Sequence, residues 1–241
     1  MTGVAFRFLA GNRAALELDL RESWRRKYLS PVLLGLHSQL VPRLLRYARG
    51  RFLDVGCGTM PFRRYLDTRV ERYDSLDLEA RVPGVTFISD LRAMPMVGTN
   101  TYDSALCSEV LEHIADPDLA LAELFRVMRP SGMLLLSVPF LARLHEEPYD
   151  YFRYTCHGLE HLLTGAGFRL VEIVPTGSVC SFLGHQISVL VLSATYRIPV
   201  VRDLAFAVNA LGVVLPCYWL DRVSGLGSKM PAGYVAVAVK G

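Results

Sequence analysis

The sequence predicts an α/β fold, a mostly parallel sheet with helices on both faces. Three observations carry this. From residue 51 onward, apolar runs of strand length alternate with stretches of helical periodicity. A glycine-rich turn follows the first of those runs. And 241 residues, 51% of them hydrophobic, suffice for one generous α/β domain but not for two full-sized ones.

Residues 13–50 read as helical, with apolar positions at three- and four-residue spacing through Leu16, Leu20, Trp24 and Tyr28, and again through Leu36, Leu40, Leu44 and Ala48. Pro31 and Pro42 punctuate the stretch and Gly50 closes it. A buried-strand pattern at 51–55 then leads through the glycine turn into a helix expected from about Pro61. Further strands are expected at 73–78, 85–89, 102–108 and 133–138, with a helix at 116–128 between the last two. Thr155 is an expected N-cap for a helix ending at Gly165–Gly167, and 168–174 and 234–239 complete the strands. Between those last strands, residues 182–220 are largely apolar. Their charge-free core, 204–220, is 17 residues long, short of the roughly 20 that a spanning helix needs.

Charge is distributed unevenly. Residues 1–72 hold 14 Lys and Arg against 6 Asp and Glu, whereas the rest hold 12 against 17. A basic front suits an anionic substrate or a membrane surface, or is simply a solvated Arg-rich helical face. Nucleic acid is not expected as a partner, since no aromatic-basic ribbon accompanies the charge. Five widely spaced cysteines without a C-x-x-C suit neither a disulfide scaffold nor a zinc site, so no metal and a reducing, cytoplasmic setting are expected. Arg7 interrupts the only short apolar run at the N-terminus, and no signal peptide is expected.

The chemistry is concentrated in Leu53-Asp54-Val55-Gly56-Cys57-Gly58-Thr59. Glycines at such a turn let the backbone pass close to a nucleoside cofactor. Pro61 occupies the last position of the dinucleotide fingerprint, which disfavours NAD. Asp77, 19 residues after Gly58, stands where a carboxylate accepts from both hydroxyls of an unphosphorylated ribose.

These residues resemble the class I S-adenosylmethionine-dependent methyltransferases, in their type 11-like branch. LDVGCGT is similar to that family's first motif, Ser89-Asp90-Leu91 to its adenine-side Asp-Leu pair, and YDSALCSEVLEHI at 102–114 to its fourth-strand motif. LFRVMRPSGMLLLSVP at 124–139 matches the helix, turn and strand that follow, and Met60 departs from a frequent third glycine. The resemblance covers about 50–176 and the final strand. It implies a Rossmann-like seven-stranded sheet whose last two strands form an antiparallel hairpin. The chain is expected to divide into an N-terminal helical cap (1–50), a cofactor-binding core (51–181), an apolar helical insertion (182–222) and a final strand (223–241). It implies S-adenosylmethionine as cofactor, held by Asp54, Gly56, Cys57 and Gly58 in the turn, by Asp77, Leu78, Asp90 and Leu91 around ribose and adenine, and by Ser108 and Glu109 after the fourth strand.

Residues 145–155, HEEPYDYFRYT, are dense in aromatics and charge and poor in aliphatics, which suits a ligand-binding loop better than a core. His145 is the candidate base, with Glu146 as second candidate or orienting carboxylate. Tyr149, Tyr151, Arg153 and His113 are candidate acceptor contacts, and Asp150 with Arg153 is alternatively a structural ion pair. The expected reaction is methyl transfer to a small-molecule hydroxyl of a sugar, lipid-linked or natural-product intermediate. C- or N-methylation of a quinone-like or phenolic acceptor is the alternative, and a non-catalytic cofactor-binding partner subunit a third. The 182–222 insertion is expected to pack internally, to make a homodimer contact, or to form a peripheral bilayer patch.

Overall fold

The computed structural model describes residues 4–241. The chain forms two compact units, one of residues 39–174 with 233–241 and the other of the described residues up to 38 with 175–232.

The first unit is built on a seven-stranded sheet in the order β3-β2-β1-β4-β5-β7-β6. Its strands are β1 (Arg51–Val55), β2 (Arg72–Asp77), β3 (Phe87–Ile88), β4 (Tyr102–Ser108), β5 (Met128–Pro139), β6 (Phe168–Thr176) and β7 (Gly233–Lys240). β1 pairs in parallel with both β2 and β4, so the chain runs outward to β3 and returns to the other side of β1. That reversal is the switch point of an open parallel sheet, where a crevice opens at the carboxyl ends of the strands. β7 lies between β5 and β6 and runs antiparallel to β5. Because residues 177–232 separate β6 from β7, the expected closing hairpin is an adjacency of strands without a tight turn. The core over this sheet comes from Leu53, Val55, Ala105, Leu134 and Leu136 on the strands and from Leu121 and Leu124 of α3 (Pro117–Val127). Leu159 and Leu163 of α4 (Cys156–Gly165) add to it. Thr155 caps α4 by accepting from the Gly158 N–H at 3.0 Å, as its sequence implies.

Two local expectations fail. The helix expected from Pro61 is a succession of single tight turns with a 3₁₀ element at Arg63–Tyr65. Asp67, Thr68 and Val70 are poor helix formers, and Phe62 and Leu66 are already buried by the turns. The strand expected at 85–89 shrinks to Phe87–Ile88, a short edge strand of the kind that limits edge pairing.

The expected 13–50 helix resolves into α1 (Val4–Asp19), a 3₁₀ turn (Trp24–Tyr28) and α2 (Pro31–Tyr47), of which residues up to 38 belong to the second unit and 39–47 to the first, with Pro31 starting α2 where a missing N–H is harmless. The second unit continues with α5 (Val179–Thr195), α6 (Pro199–Asn209), a π turn (Ala210–Val214) and α7 (Leu215–Ser224). Leu16, Leu29, Leu192 and Phe206 form its small core. Residues Val200–Ser224 make one continuous 25-residue helix of mean hydropathy 1.6, long and apolar enough by length and composition to cross a bilayer. The 17-residue charge-free run understates it, because the helix continues through Gly212 and Pro216 and beyond the flanking charges.

Candidate functional site

An open cleft with about 660 Å³ of empty space lies at the carboxyl ends of β1, β2 and β4. Its floor is the turn after β1. Gly56 has φ +62°, and a Cβ there would overlap the Val110 side chain, so only glycine fits. Gly58 has φ +52° and nothing within 4 Å of where a Cβ would stand, leaving bare backbone facing open space. Met60 adopts φ +54° without being glycine, which places a small backbone strain beside the cleft. Cys57 turns inward against Met60 and Val82. Burial first, then the charges of Asp54 and Asp77, push its thiol up to about 12, so it stays protonated at neutral pH.

Asp77 stands at the end of β2, and its two oxygens accept from the Gly58 N–H and the Leu78 N–H, each at 2.8 Å. This ties the glycine turn to the second strand and leaves each carboxylate oxygen further acceptor capacity. Leu78, 69% exposed, offers an apolar wall in the cleft, and Leu91 and Ile114 line it too. Asp90 also lines the cleft, chelated by Arg92 at 2.7 and 3.1 Å, which holds its carboxyl below the usual range. Asp54 does not reach the cleft surface. It is buried, accepts from the Tyr73 hydroxyl at 2.5 Å, and its pKa is pushed up to about 7 mainly by desolvation, with Asp77 adding to the rise.

After β4, Ser108 and Glu109 both engage Ser137 of β5, the hydroxyls at 2.8 Å and the Glu109 carboxylate accepting at 2.9 Å. Glu109 lines the cleft with φ +56°. Next comes a 3₁₀ turn, Leu111–His113, to which the 145–155 loop is fastened. Tyr151 and Phe152 donate main-chain N–H groups to the Glu112 carbonyl, and the Tyr154 hydroxyl donates to Leu111. Burial, then the charge of Glu109, raises the Glu112 carboxyl well above its ordinary range.

Two histidines meet on this turn, with rings edge to face at 4.8 Å. His113 lines the cleft, and its Nδ1 lies 2.7 Å from the Tyr149 carbonyl. His145 does not line the cleft but backs onto His113, with Nδ1 3.0 Å from the Arg143 carbonyl. A carbonyl only accepts, so each Nδ1 carries a proton; the Nε2 of His113 lies 3.6 Å from Glu112 Oε1. The carboxylate beside the His145 ring is Asp150, 3.4 Å from Nδ1 and accepting from the His145 main-chain N–H at 3.0 Å. Arg153 grips Asp150 with two bonds of 2.6 and 2.7 Å, which is the main cause of its depressed pKa. Glu146 instead lines the cleft opposite Arg81, 3.7 Å away. The Tyr149 and Tyr151 rings are exposed. Glu112, His113 and His145 bring ligand atoms within 4.8 Å of one another, the one such grouping among the described residues.

The structure therefore gathers Gly56, Gly58, Asp77, Leu78, Asp90, Leu91, Glu109, His113 and Glu146 around one cleft. It places Asp54, Cys57 and Ser108 behind its walls, and His145, Tyr149, Tyr151 and Arg153 in the adjoining loop. Arg81 is a cleft residue that the sequence left unmarked. No motif surrounds it, and only the path of the loop after β2 brings it there.

The sequence profile of the methyltransferase-domain family matches residues 23–173. Among curated relatives, a malonyl-[acyl-carrier protein] O-methyltransferase of Serratia marcescens is 32% identical over 105 residues, covering 40% of this chain and 41% of that protein. A ubiquinone biosynthesis O-methyltransferase of Xanthomonas oryzae pv. oryzae is 28% identical over 122 residues, covering 45% and 49%. The alignments thus span about two fifths to one half of these relatives' length. Among solved structures, the [4+2]-cyclase SpnF shares the fold at a TM-score of 0.56 and 19% identity, over 86% of this chain and 80% of that one.

Proposed function

This chain belongs to the class I S-adenosylmethionine-dependent methyltransferases, and on that premise we propose that it methylates a hydroxyl oxygen of a small-molecule acceptor. The observation that carries this reading is His145, whose Nδ1 is taken up by the Arg143 carbonyl so that its Nε2 is left for a proton. A neutral hydroxyl acceptor needs a proton acceptor, and an imidazole with a fixed tautomer supplies one. The two relatives named above are O-methyltransferases, which favours oxygen over nitrogen or carbon.

The cleft suits the cofactor: bare backbone at Gly58, a carboxylate at Asp77 and an apolar wall at Leu78. S-adenosylmethionine supplies an electrophilic methyl group on a sulfonium. Asp77 would accept from its ribose hydroxyls, and Leu78, Leu91 and Ile114 would flank its base beside Asp90. Asp54, through Tyr73, supports the glycine turn from below. In the acceptor loop His145 takes the hydroxyl proton at Nε2, and Asp150 beside Nδ1 stabilises the imidazolium that forms. Arg153 fixes Asp150, and so positions His145 indirectly. Tyr149 and Tyr151 offer ring faces to the acceptor. Much of the acceleration comes from alignment alone, as in any displacement between two bound reactants. Sugar, lipid-linked and natural-product alcohols are the acceptor classes we favour, in a cytoplasmic setting.

Incubating the protein with the cofactor and a panel of hydroxylated acceptors, with mass detection of products heavier by one CH₂, tests this directly. Transfer to a hydroxyl is expected. Transfer only to nitrogen or carbon overturns the oxygen assignment. Cofactor binding by calorimetry with no transfer to any acceptor favours a non-catalytic partner subunit instead.

A further inference from the structure

Around its small apolar core the helical unit leaves much of its apolar surface outside and buries small and polar residues between its helices. α5 buries Ser181, Gly184 and Ser188 and exposes Leu183, Ile187 and Leu190. It passes α7 so closely that a Cβ on Gly184 would stand 2.6 Å from Cys217 Sγ. The Val200–Ser224 helix follows the same rule. Its packed face holds Phe206, Asn209, Val214 and Asp221, while Val200, Leu204, Val208 and Leu211 face outward at three- and four-residue spacing, followed two turns on by Trp219 and Val223. Only 17% of its most apolar window is buried, so this is not a core helix. In water an amphipathic helix does the reverse. Small residues between helices with large aliphatics outside are the packing rule of proteins whose solvent is lipid.

Charge names the occupant. Residues 1–38 and 175–232 carry ten Lys and Arg against five Asp and Glu, whereas the rest of the chain is net acidic. Arg21, Arg25, Arg26 and Lys27 surround Trp24, which is 64% exposed, and Arg222 and Lys229 follow Trp219, which is 60% exposed. Exposed tryptophans beside cations are suited to the headgroup layer of an anionic membrane. The helix cannot be wrapped by lipid on all sides. Asn209 donates to the Tyr28 and Leu29 carbonyls, and Asp221 accepts from the Ser178 N–H at 2.7 Å, so one face stays with the protein.

We propose that the helical unit docks on an anionic bilayer surface, with the outward face of α5, α6 and α7 sunk into the headgroup-acyl boundary and the helices lying in its plane. The two tryptophans of the chain both stand on this unit and are the natural probes. The full chain is mixed with vesicles of phosphatidylglycerol and phosphatidylcholine, or of phosphatidylcholine alone, and followed by flotation and tryptophan emission. Flotation with the anionic vesicles, a blue-shifted emission and quenching by bromine-labelled acyl chains are expected, with weaker partitioning at high salt. Leu204→Glu with Leu211→Glu should lower partitioning about tenfold or more while leaving calorimetric cofactor binding unchanged, because charges on an inserted face are strongly disfavoured. Wild-type protein that stays off anionic vesicles with unaltered emission overturns the proposal. So does a dimer by light scattering that hides both tryptophans without lipid, since the face is then a contact between copies of this chain.

Discussion

The sheet unit and the helical unit treat burial in opposite ways. In the first, leucine, valine and alanine fill the interior, and charges gather at strand ends and loops, where Asp77, Asp90 and Glu109 open on the cleft. In the second, beside a small core of Leu16, Leu29, Leu192 and Phe206, serines, Asn12, Asn209 and Asp221 are interior, while many leucines and isoleucines and both tryptophans are outside. A water-solvated domain gains most of its stability from apolar area removed from water. The helical unit withholds much of that area and adds polar contacts to its small apolar core: Asn12 Nδ2 to the Ser193 carbonyl at 2.8 Å, Arg197 to Asn12 at 3.0 Å, and Asp221 to the start of α5. Under the two proposals above, chemistry belongs to one unit and attachment to the other, and breaking each unit in turn tests that separation.

The sharpest break falls on chemistry alone. His145→Ala should lower turnover about 10²–10⁴-fold, the range for a positioned general base, with cofactor affinity and vesicle partitioning unchanged. Steady-state rates on any accepted alcohol measure it, and a loss below about threefold removes His145 from that role. Next comes the floor of the cleft. Gly56→Ala forces a β-carbon into Val110 at φ +62°, and should destabilise the protein by about 2–4 kcal/mol in denaturant unfolding. Gly58→Ala, where the same atom meets nothing, should lose only the backbone part, about 1–2 kcal/mol.

How far this contrast was legible in the sequence depends on range. The glycine turn and Asp77 are legible because their chemistry is local: a strand end, a turn and a carboxylate at fixed spacing. The same holds for the 102–114 motif and the Thr155 cap. Arg81 and the Asp150–His145 pairing were not, since both depend on how loops fold back. The helices of 179–224 were visible through their apolar content, but which face lies inside was not. Periodicity gives a stripe, and only packing tells whether Ser188 or Ile187 is its inner edge. Asp221 is similarly silent in sequence, 43 residues from the Ser178 it caps.

Two predictions of intermediate size compare the units directly. Asp77→Ala removes acceptors for the ribose hydroxyls and should weaken cofactor binding by about 1.5–3 kcal/mol, one to two decades, in a calorimetric titration. Unchanged affinity in a folded variant would show that the ribose lies elsewhere. Asp221→Ala leaves the Ser178 and Ser181 N–H groups of α5 without their acceptor and should cost about 1–2 kcal/mol of stability. Cofactor affinity should not follow it; a fall of tenfold would tie the helical unit to the cleft and end the separation argued above.

The smallest effect is a pH dependence confined to the sheet unit. Asp54 is buried, and its folded pKa near 7 lies above its ordinary value of 3.8. A raised carboxyl means that the folded state binds the proton more tightly than the unfolded chain does. Its contribution to stability is therefore complete below about pH 4 and is lost as pH rises through 7. Between pH 6 and 8 that amounts to about 1.4 kcal/mol, from one proton and a tenfold change in its occupancy. Glu112, also raised by burial, adds a slope of the same sign, so the wild-type profile alone does not isolate Asp54. Asp54→Asn does, because it keeps an acceptor for the Tyr73 hydroxyl and removes the titration. Urea unfolding at pH 6 and pH 8 should show the wild type losing about 1 kcal/mol more than the variant over that interval. Equal losses would mean that the carboxyl remains ionised across the range, held by Tyr73 against its desolvation.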